Sequence, residues 1–245
     1  MQRKFYMGLA GLTIEMNTRF EYVENFCRDY IIDNPEKMAD IVASVTPERV
    51  QEEMCRVKEE IQEDVTEEYT ETLALYRSIA EQLPKFGCFV FHGAAISFDG
   101  KGYLFTAPSG TGKTTHICLW RKFLGKRVDI INGDKPILRI NDDGVSVCST
   151  PWAGKENWHK NVIMPLAGAC IINRGTDNLC IRQTPQEALR NVMHQVYLPK
   201  NTQSTGQTLE NIDKLLKLVP FYRLTCDISE NAVKASFEAL TGQKF

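Results

Sequence analysis

A chain of 245 residues, 43% hydrophobic and 24% charged, with a formal net charge of −2, has the composition of an ordinary globular protein. It is long enough for one large domain, or one domain plus a small one, and its core needs no disulfide staple. The near-neutral balance argues against a nucleic-acid partner, which selects a basic face, and no run reaches the ~18 apolar residues of a membrane span.

In chain order, Phe5 to Met16 reads as a strand weakened by Gly8 and Gly11. Gln2-Arg3-Lys4 gives this stretch a faint likeness to a signal peptide, but Glu15 ends the apolar run early and no small-x-small site follows. Phe20, Val23, Phe26 and Cys27 fall at helical spacing, and Ala39 to Val45 is apolar enough for a strand. Thr46-Pro47 then starts a helix, Thr as N-cap and Pro at the first helical position. From Glu48 to Glu71 the chain is acidic, with Glu52, Glu53, Glu59, Glu60, Glu63, Asp64, Glu67 and Glu68 offset by Arg49, Arg56 and Lys58. That run reads as a solvated helical face or charged connector; docking of a basic partner is the alternative. Tyr69, Leu73, Leu75, Tyr76 and Ile79 indicate a helix packing inward and ending near Leu83-Pro84. Strand-rich sequence follows, so a soft boundary separates an N-terminal α+β region, residues 1–85, from residues 86–245.

Phe86 to Phe91 and His92 to Phe98 read as strands, and Asp99-Gly100-Lys101-Gly102 as a hairpin turn. Val128 to Ile131 is a buried strand. Ile137–Ile140 and Val145–Ser149 flank a second turn signal, and Leu166–Asn173 and Asn178–Arg182 are strands around Arg174-Gly175. Thr184-Pro185-Gln186-Glu187 is a capping box for a helix with Leu189, Val192, Met193 and Val196 on one face. Leu209, Ile212, Leu215 and Leu216 mark another helix. Phe221–Cys226 is a strand, and Ser229 caps a last helix carrying Val233, Phe237 and Leu240. The 8 cysteines show no C-x-x-C pair, as expected for reduced thiols in a cytoplasmic protein.

The richest stretch is Ala107-Pro108-Ser109-Gly110-Thr111-Gly112-Lys113-Thr114-Thr115, between the strand-like Tyr103–Thr106 and a helical run from His116. Strand, small-residue loop, Gly-Lys-Thr and helix make a phosphate-cradling P-loop. Gly110 and Gly112 let the backbone curl so that successive N–H groups form an anion nest. Lys113 reaches toward the β- and γ-phosphates of ATP or GTP, and the Thr114 hydroxyl is a ligand for Mg²⁺. Ala107 stands where the general pattern has Gly, which the loop accommodates if its φ is negative.

A P-loop needs an acidic partner. Asp134, in Asn132-Gly133-Asp134 at the end of the next buried strand, is the candidate for metal partner, catalytic base or both. His92 closes a strand of the hairpin leading to the loop and is a candidate participant or a core histidine. In Thr150–Lys160, Lys155 or Lys160 is a candidate contact for transferred phosphate, with Trp152 and Trp158 anchoring a surface loop as the alternative. Arg174 reads as a plain turn residue or a weaker phosphate contact. His116, His159 and His194 lack metal-ligand spacing.

His92-Gly-Ala-Ala, the Ser-Gly-Thr-Gly-Lys-Thr loop and Asn132-Gly-Asp134 resemble the catalytic domain of HPr kinase/phosphorylase and the nucleotide half of phosphoenolpyruvate carboxykinase. Thr150-Pro-Trp-Ala-Gly-Lys155 looks like the shorter HPr-kinase-related proteins. The resemblance covers roughly residues 86–240. It implies a mixed, twisted α/β sheet flanked by helices, Mg²⁺, and ATP-dependent transfer of the γ-phosphoryl group to a serine-like hydroxyl. The acceptor would be a peptide, protein or small molecule. By the resemblance His92 falls on a metal-binding histidine and Asp134 on an acidic pair. Only one carboxylate of that pair is present, whether it is read as Gly133-Asp134 or Asp134-Lys135. A nucleotide-binding regulator without turnover is therefore the rival, and an ATPase without acceptor a third reading. The resemblance leaves room for a homo-oligomer, though no segment marks a symmetric interface.

Overall fold

The computed structural model describes residues 2–33, 35, 37–61 and 65–245, apart from the side chains of residues 60 and 61. Strands β1 (Arg3–Leu9) and β2 (Leu12–Thr18) form an antiparallel hairpin. The single strand expected over residues 5–16 is thus two. Ala10 and Gly11 turn the chain with φ of 53° and 74°, the positive pair a two-residue hairpin requires. Alanine is an unusual residue for that role, which is why the turn does not announce itself. Phe5, Met7 and Leu9 share the buried face with Leu12, Ile14 and Met16. β3 (Ile41–Ser44) adds to β2 in parallel and completes a three-stranded sheet.

Helices α1 (Glu21–Phe26), α2 (Pro47–Ile61) and α3 (Glu67–Gln82) accompany this sheet. Thr66 caps α3 by accepting the Tyr69 N–H, and Leu75 and Ile79 bury its inner face. The acidic run is not all solvated. Glu53 is 4% exposed and accepts Arg77 Nε at 2.7 and 2.8 Å and Arg56 at 3.3 Å. Glu71, 0% exposed, accepts Arg19 Nε at 3.2 Å, the N–H groups of Arg19 and Phe20, and the Thr18 hydroxyl. Buried carboxylates persist only when so paired, and this one ties α3 to the end of β2. Glu63 and Asp64 lie outside the described residues.

Strands β4 (Cys88–Val90), β5 (Ala94–Phe98), β6 (Lys101–Thr106), β7 (Val128–Asn132), β8 (Ile137–Ile140), β9 (Val145–Cys148), β10 (Ile163–Arg174), β11 (Leu179–Gln183) and β12 (Phe221–Cys226) form a nine-stranded mixed sheet. Its order is β4-β8-β9-β10-β6-β5-β7, with β12 on β10 and β11 outside β12. β10 begins antiparallel to β9, then runs parallel to both β6 and β12. One strand thereby joins the two parts of a curled sheet. β10 and β11, which flank Arg174-Gly175 in sequence, are separated by β12. β5 is antiparallel to β6 and to β7, so β6, β7, β10 and β12 share one direction.

α4 (Lys113–Leu124) and α7 (Glu230–Thr241) cover one face through Phe98, Phe105, Trp120 and Phe237. α5 (Pro185–Met193) and α6 (Thr202–Leu218) cover the other through Leu104, Val147, Val192 and Ile212. The Thr184–Glu187 capping box forms, whereas Ser229 holds its N-cap position without a side-chain bond to α7. Leu189 and Leu209, expected on inward faces, are 42% and 44% exposed; Ala188 and Thr208 are the buried neighbours. A third core joins Ile14 and Ile79 of the N-terminal region to Val90, Ile137 and Trp152, so apolar packing is continuous across residue 85. The eight thiols are unpaired, and among the described residues no helix is long and apolar enough to cross a membrane.

Candidate functional site

The shared direction of β6, β7 and β10 brings their C-terminal ends together, the place where ligand crevices of open α/β sheets lie. β6 delivers the loop 107–112. Ala107 is buried and is not among the residues with positive φ, so its methyl is accommodated. Gly110 and Gly112 adopt φ of 72° and 119°, and a Cβ at either would meet nothing within 4 Å. Their glycines answer a backbone need, not a lack of room. Gly112 is the N-cap of α4 and has no side chain to cap it, so the first-turn N–H groups face outward without an intrahelical acceptor.

Lys113 is 8% exposed, and its Nζ donates to the Ala107 carbonyl at 2.9 Å. No carboxylate stands within ion-pair distance of it among the described residues. Burial lowers its pKa, the charge of Asp134 opposes that, and Lys135 adds to the lowering. Thr114 is half-buried with its hydroxyl unengaged by the described chain, while Ser109 and Thr115 are exposed and Thr111 half-buried. Arg174, at the end of β10, donates to the Gly110 carbonyl and, through Nε at 3.2 Å, to that of Thr111. It is a brace on the loop, not the plain turn residue its sequence context suggests.

β7 delivers the acidic corner. Asn132 is fully buried; its Oδ1 accepts the N–H groups of Asp134 (2.9 Å) and Lys135 (2.7 Å), and its Nδ2 donates to the Thr150 carbonyl at 2.9 Å. This side-chain-closed turn sets the direction of Asp134. A Cβ on Gly133 would lie 2.7 Å from the Ala153 carbonyl oxygen. Position 133 therefore has no room for any side chain.

His92 stands just before β5, at the same sheet end. Its N–H donates to the Gln195 carbonyl (2.7 Å), its carbonyl accepts the Thr106 hydroxyl (3.0 Å), and Gly93 N–H donates to the Asp134 carbonyl (2.8 Å). So pinned, His92 Nε2 meets Asp134 Oδ1 at 3.2 Å, and Lys135 Nζ contacts Asp134 Oδ2. Burial pushes the Asp134 carboxyl up, but the His92 hydrogen bond and the Lys135 charge outweigh it, holding the group well below the usual carboxylate range.

The sequence matches no family model and no curated protein. Among solved structures the fold is similar to that of the Hpr(Ser) kinase/phosphatase from Coxiella burnetii. The match spans 62% of this chain and 93% of that one, at 11% identity and a TM-score of 0.36. At so slight an overlap, a functional reading has to come from the chain's own side chains.

Lys155 and Lys160 differ in placement. Lys155 is exposed on the turn after Gly154, which lies against Asp134 closely enough that a Cβ would be 3.1 Å from the Asp134 Cβ. Lys160 is bound to Asp129 at 2.7 Å, near the other end of β7, and is not part of the cluster. His116 is on the buried face of α4, beside Ser236 (2.9 Å) and Trp120 (3.2 Å), with its pKa pushed down to about 4 by burial. Among the described residues no group of three His, Cys, Asp or Glu side chains is placed to hold a metal.

Residues of the N-terminal region also border the site. Trp152 packs against Phe26 (6.0 Å between ring centroids) and Tyr76 (5.1 Å). Burial raises the pKa values of Tyr69 and Tyr76, and the charge of Asp134 raises both further. Lys135, Tyr69 and Tyr76 were not foreseeable as a set. Nor was the brace from Arg174, which depends on β10 running parallel to β6.

Proposed function

We propose that the chain binds a nucleoside triphosphate, ATP or GTP, and transfers its γ-phosphoryl group to a serine-like hydroxyl on a peptide, protein or small molecule. One observation carries this reading: an uncapped helix N-terminus, the buried Lys113 and the His92–Asp134 pair meet at one sheet end. The loop N–H groups and Lys113 bind phosphate oxygens and neutralise their charge. Thr114 and Asp134 suit Mg²⁺, since a hydroxyl without an acceptor in the chain and an ionised carboxylate are hard oxygen donors. The ion, when bound, supplies further neutralisation of phosphate charge.

Asp134, with its pKa so low, is a poor proton acceptor. Its better role is to hold His92 through Nε2, leaving Nδ1 to take the proton of the acceptor hydroxyl. Lys155, exposed on the turn that lies against Asp134, is the residue assigned to the group in transit, which a cation steadies. Unpaired thiols suit a reducing compartment such as the cytoplasm.

The steric closure of position 133 favours a second reading, a nucleotide-binding regulator with no turnover. Labelled-phosphate transfer from γ-labelled ATP to the chain's acceptors, with calorimetry of nucleotide binding, separates the two. The first reading expects a Lys113→Ala variant to lose at least about 100-fold in transfer, the scale of one removed charge-stabilising contact. Transfer at the wild-type rate by that variant defeats it; tight binding with no transfer by wild type selects the regulator.

A further inference from the structure

Asp134 has one neighbour more than the proposed chemistry uses. His92 Nε2 takes one carboxylate oxygen and Lys135 Nζ the other, so both oxygens are engaged within the chain. Adjacent residues of an extended chain point to opposite faces; here the turn closed by Asn132 puts Asp134 and Lys135 on the same side. The Thr150 hydroxyl, donating to the Lys135 carbonyl at 2.8 Å, fixes that turn from behind. The Lys135 side chain is 35% exposed, and its charge reaches Lys113 as well, whose pKa it depresses. Two fixed lysines thus face the region where a triphosphate and its metal would add a third cation.

We infer that Lys135 is a tethered cation that competes with the nucleotide's divalent metal for Asp134. This rests on the P-loop reading above. A metal ligated directly by Asp134 either displaces the Lys135 ammonium from Oδ2 or shares the carboxylate with it against its charge; a metal that does neither is left to Thr114 and the phosphates. In each case Lys135 lowers the affinity of the nucleotide complex for the ion, and it supplies positive charge while the ion is absent.

The test is a Mn²⁺ titration of the full chain saturated with a non-hydrolysable ATP analogue, free Mn²⁺ being read by electron paramagnetic resonance. Lys135→Met keeps the stem and removes the charge. It is expected to bind Mn²⁺ about tenfold more tightly than wild type, ~1.4 kcal/mol. Lys135→Arg should stay near wild type, and Asp134→Asn combined with Lys135→Met should lose the gain. Lys135→Gln serves where the Met variant does not fold. Unchanged or weaker Mn²⁺ binding in the neutral variants overturns the competition, as does a gain that survives Asp134→Asn. Should folded wild type bind no analogue by calorimetry, the P-loop reading itself falls and the inference with it.

Discussion

Gly133→Ala probes the steric closure of the turn that sets Asp134. The added Cβ would sit 2.7 Å from the Ala153 carbonyl oxygen and 3.6 Å from that of Trp158. Carbon–oxygen contacts are comfortable from ~3.3 Å, so the backbone on one side has to retreat by roughly half an ångström. Both neighbours are main chain, and Ala153 belongs to the turn that presses Gly154 on Asp134, so rotamer changes give no relief. Overpacking of this kind costs ~1–3 kcal/mol. For a chain of this size each kcal/mol lowers Tm by ~2–4 °C, so a fall of ~2–12 °C is expected in scanning calorimetry. Gly144→Ala is the control: nothing stands within 4 Å of its Cβ, and its effect should lie within ~0.5 kcal/mol of zero. Gly133→Asp should be worse than Gly133→Ala and should not restore a paired carboxylate. A Gly133→Ala variant melting with the Gly144→Ala control, or a Gly133→Asp variant with faster phosphoryl transfer, would refute the steric argument.

Glu71→Ala removes a fully buried carboxylate, leaves two backbone N–H groups without their partner and reduces Arg19 to its contact with Glu67. It should cost ~3–5 kcal/mol, visible as a large drop in urea midpoint; a drop no bigger than that of an exposed Glu68→Ala contradicts the assignment. His116 supplies a pH dependence. Its folded pKa of about 4 lies below the ~6.5 of the unfolded chain, so the unfolded state takes up the proton first as pH falls. Stability is full above pH ~6.5 and declines toward pH ~4, by up to ~3 kcal/mol from this group. Urea midpoints from pH 7 to 4.5 should therefore fall more steeply in wild type than in His116→Gln; equal slopes would count against a buried neutral imidazole.

Much of the fold is legible locally. The Asp99-Gly100 hairpin, the Thr184 capping box, the Thr46-Pro47 helix start and the glycines of the loop each declare themselves by a residue type whose backbone preference is used as expected. What fails to show is either an unusual residue in a familiar role or a partnership across the chain. Ala10 in a positive-φ turn is the first kind. The second includes Glu53 and Glu71, indistinguishable in sequence from the solvated glutamates around them until Arg77 and Arg19 are placed beside them. The site divides the same way: the loop is local, while the brace from Arg174 depends on β10 running parallel to β6, a pairing between strands some sixty residues apart.

The turn that carries Asp134 and the N-terminal region are parts of one packing arrangement. Phe26 of α1 and Tyr76 of α3 hold the Trp152 ring between them, and Trp152 is 3% exposed. Its neighbour Ala153 is thereby placed with its carbonyl over residue 133, where only glycine fits. With no side chain there, the corner presents Asp134, whose two oxygens His92 and Lys135 divide. Phe26 and Tyr76 thus shape a turn they precede by more than fifty residues. Replacing Trp152 with a smaller residue should loosen the turn over position 133 before it disturbs the phosphate loop itself.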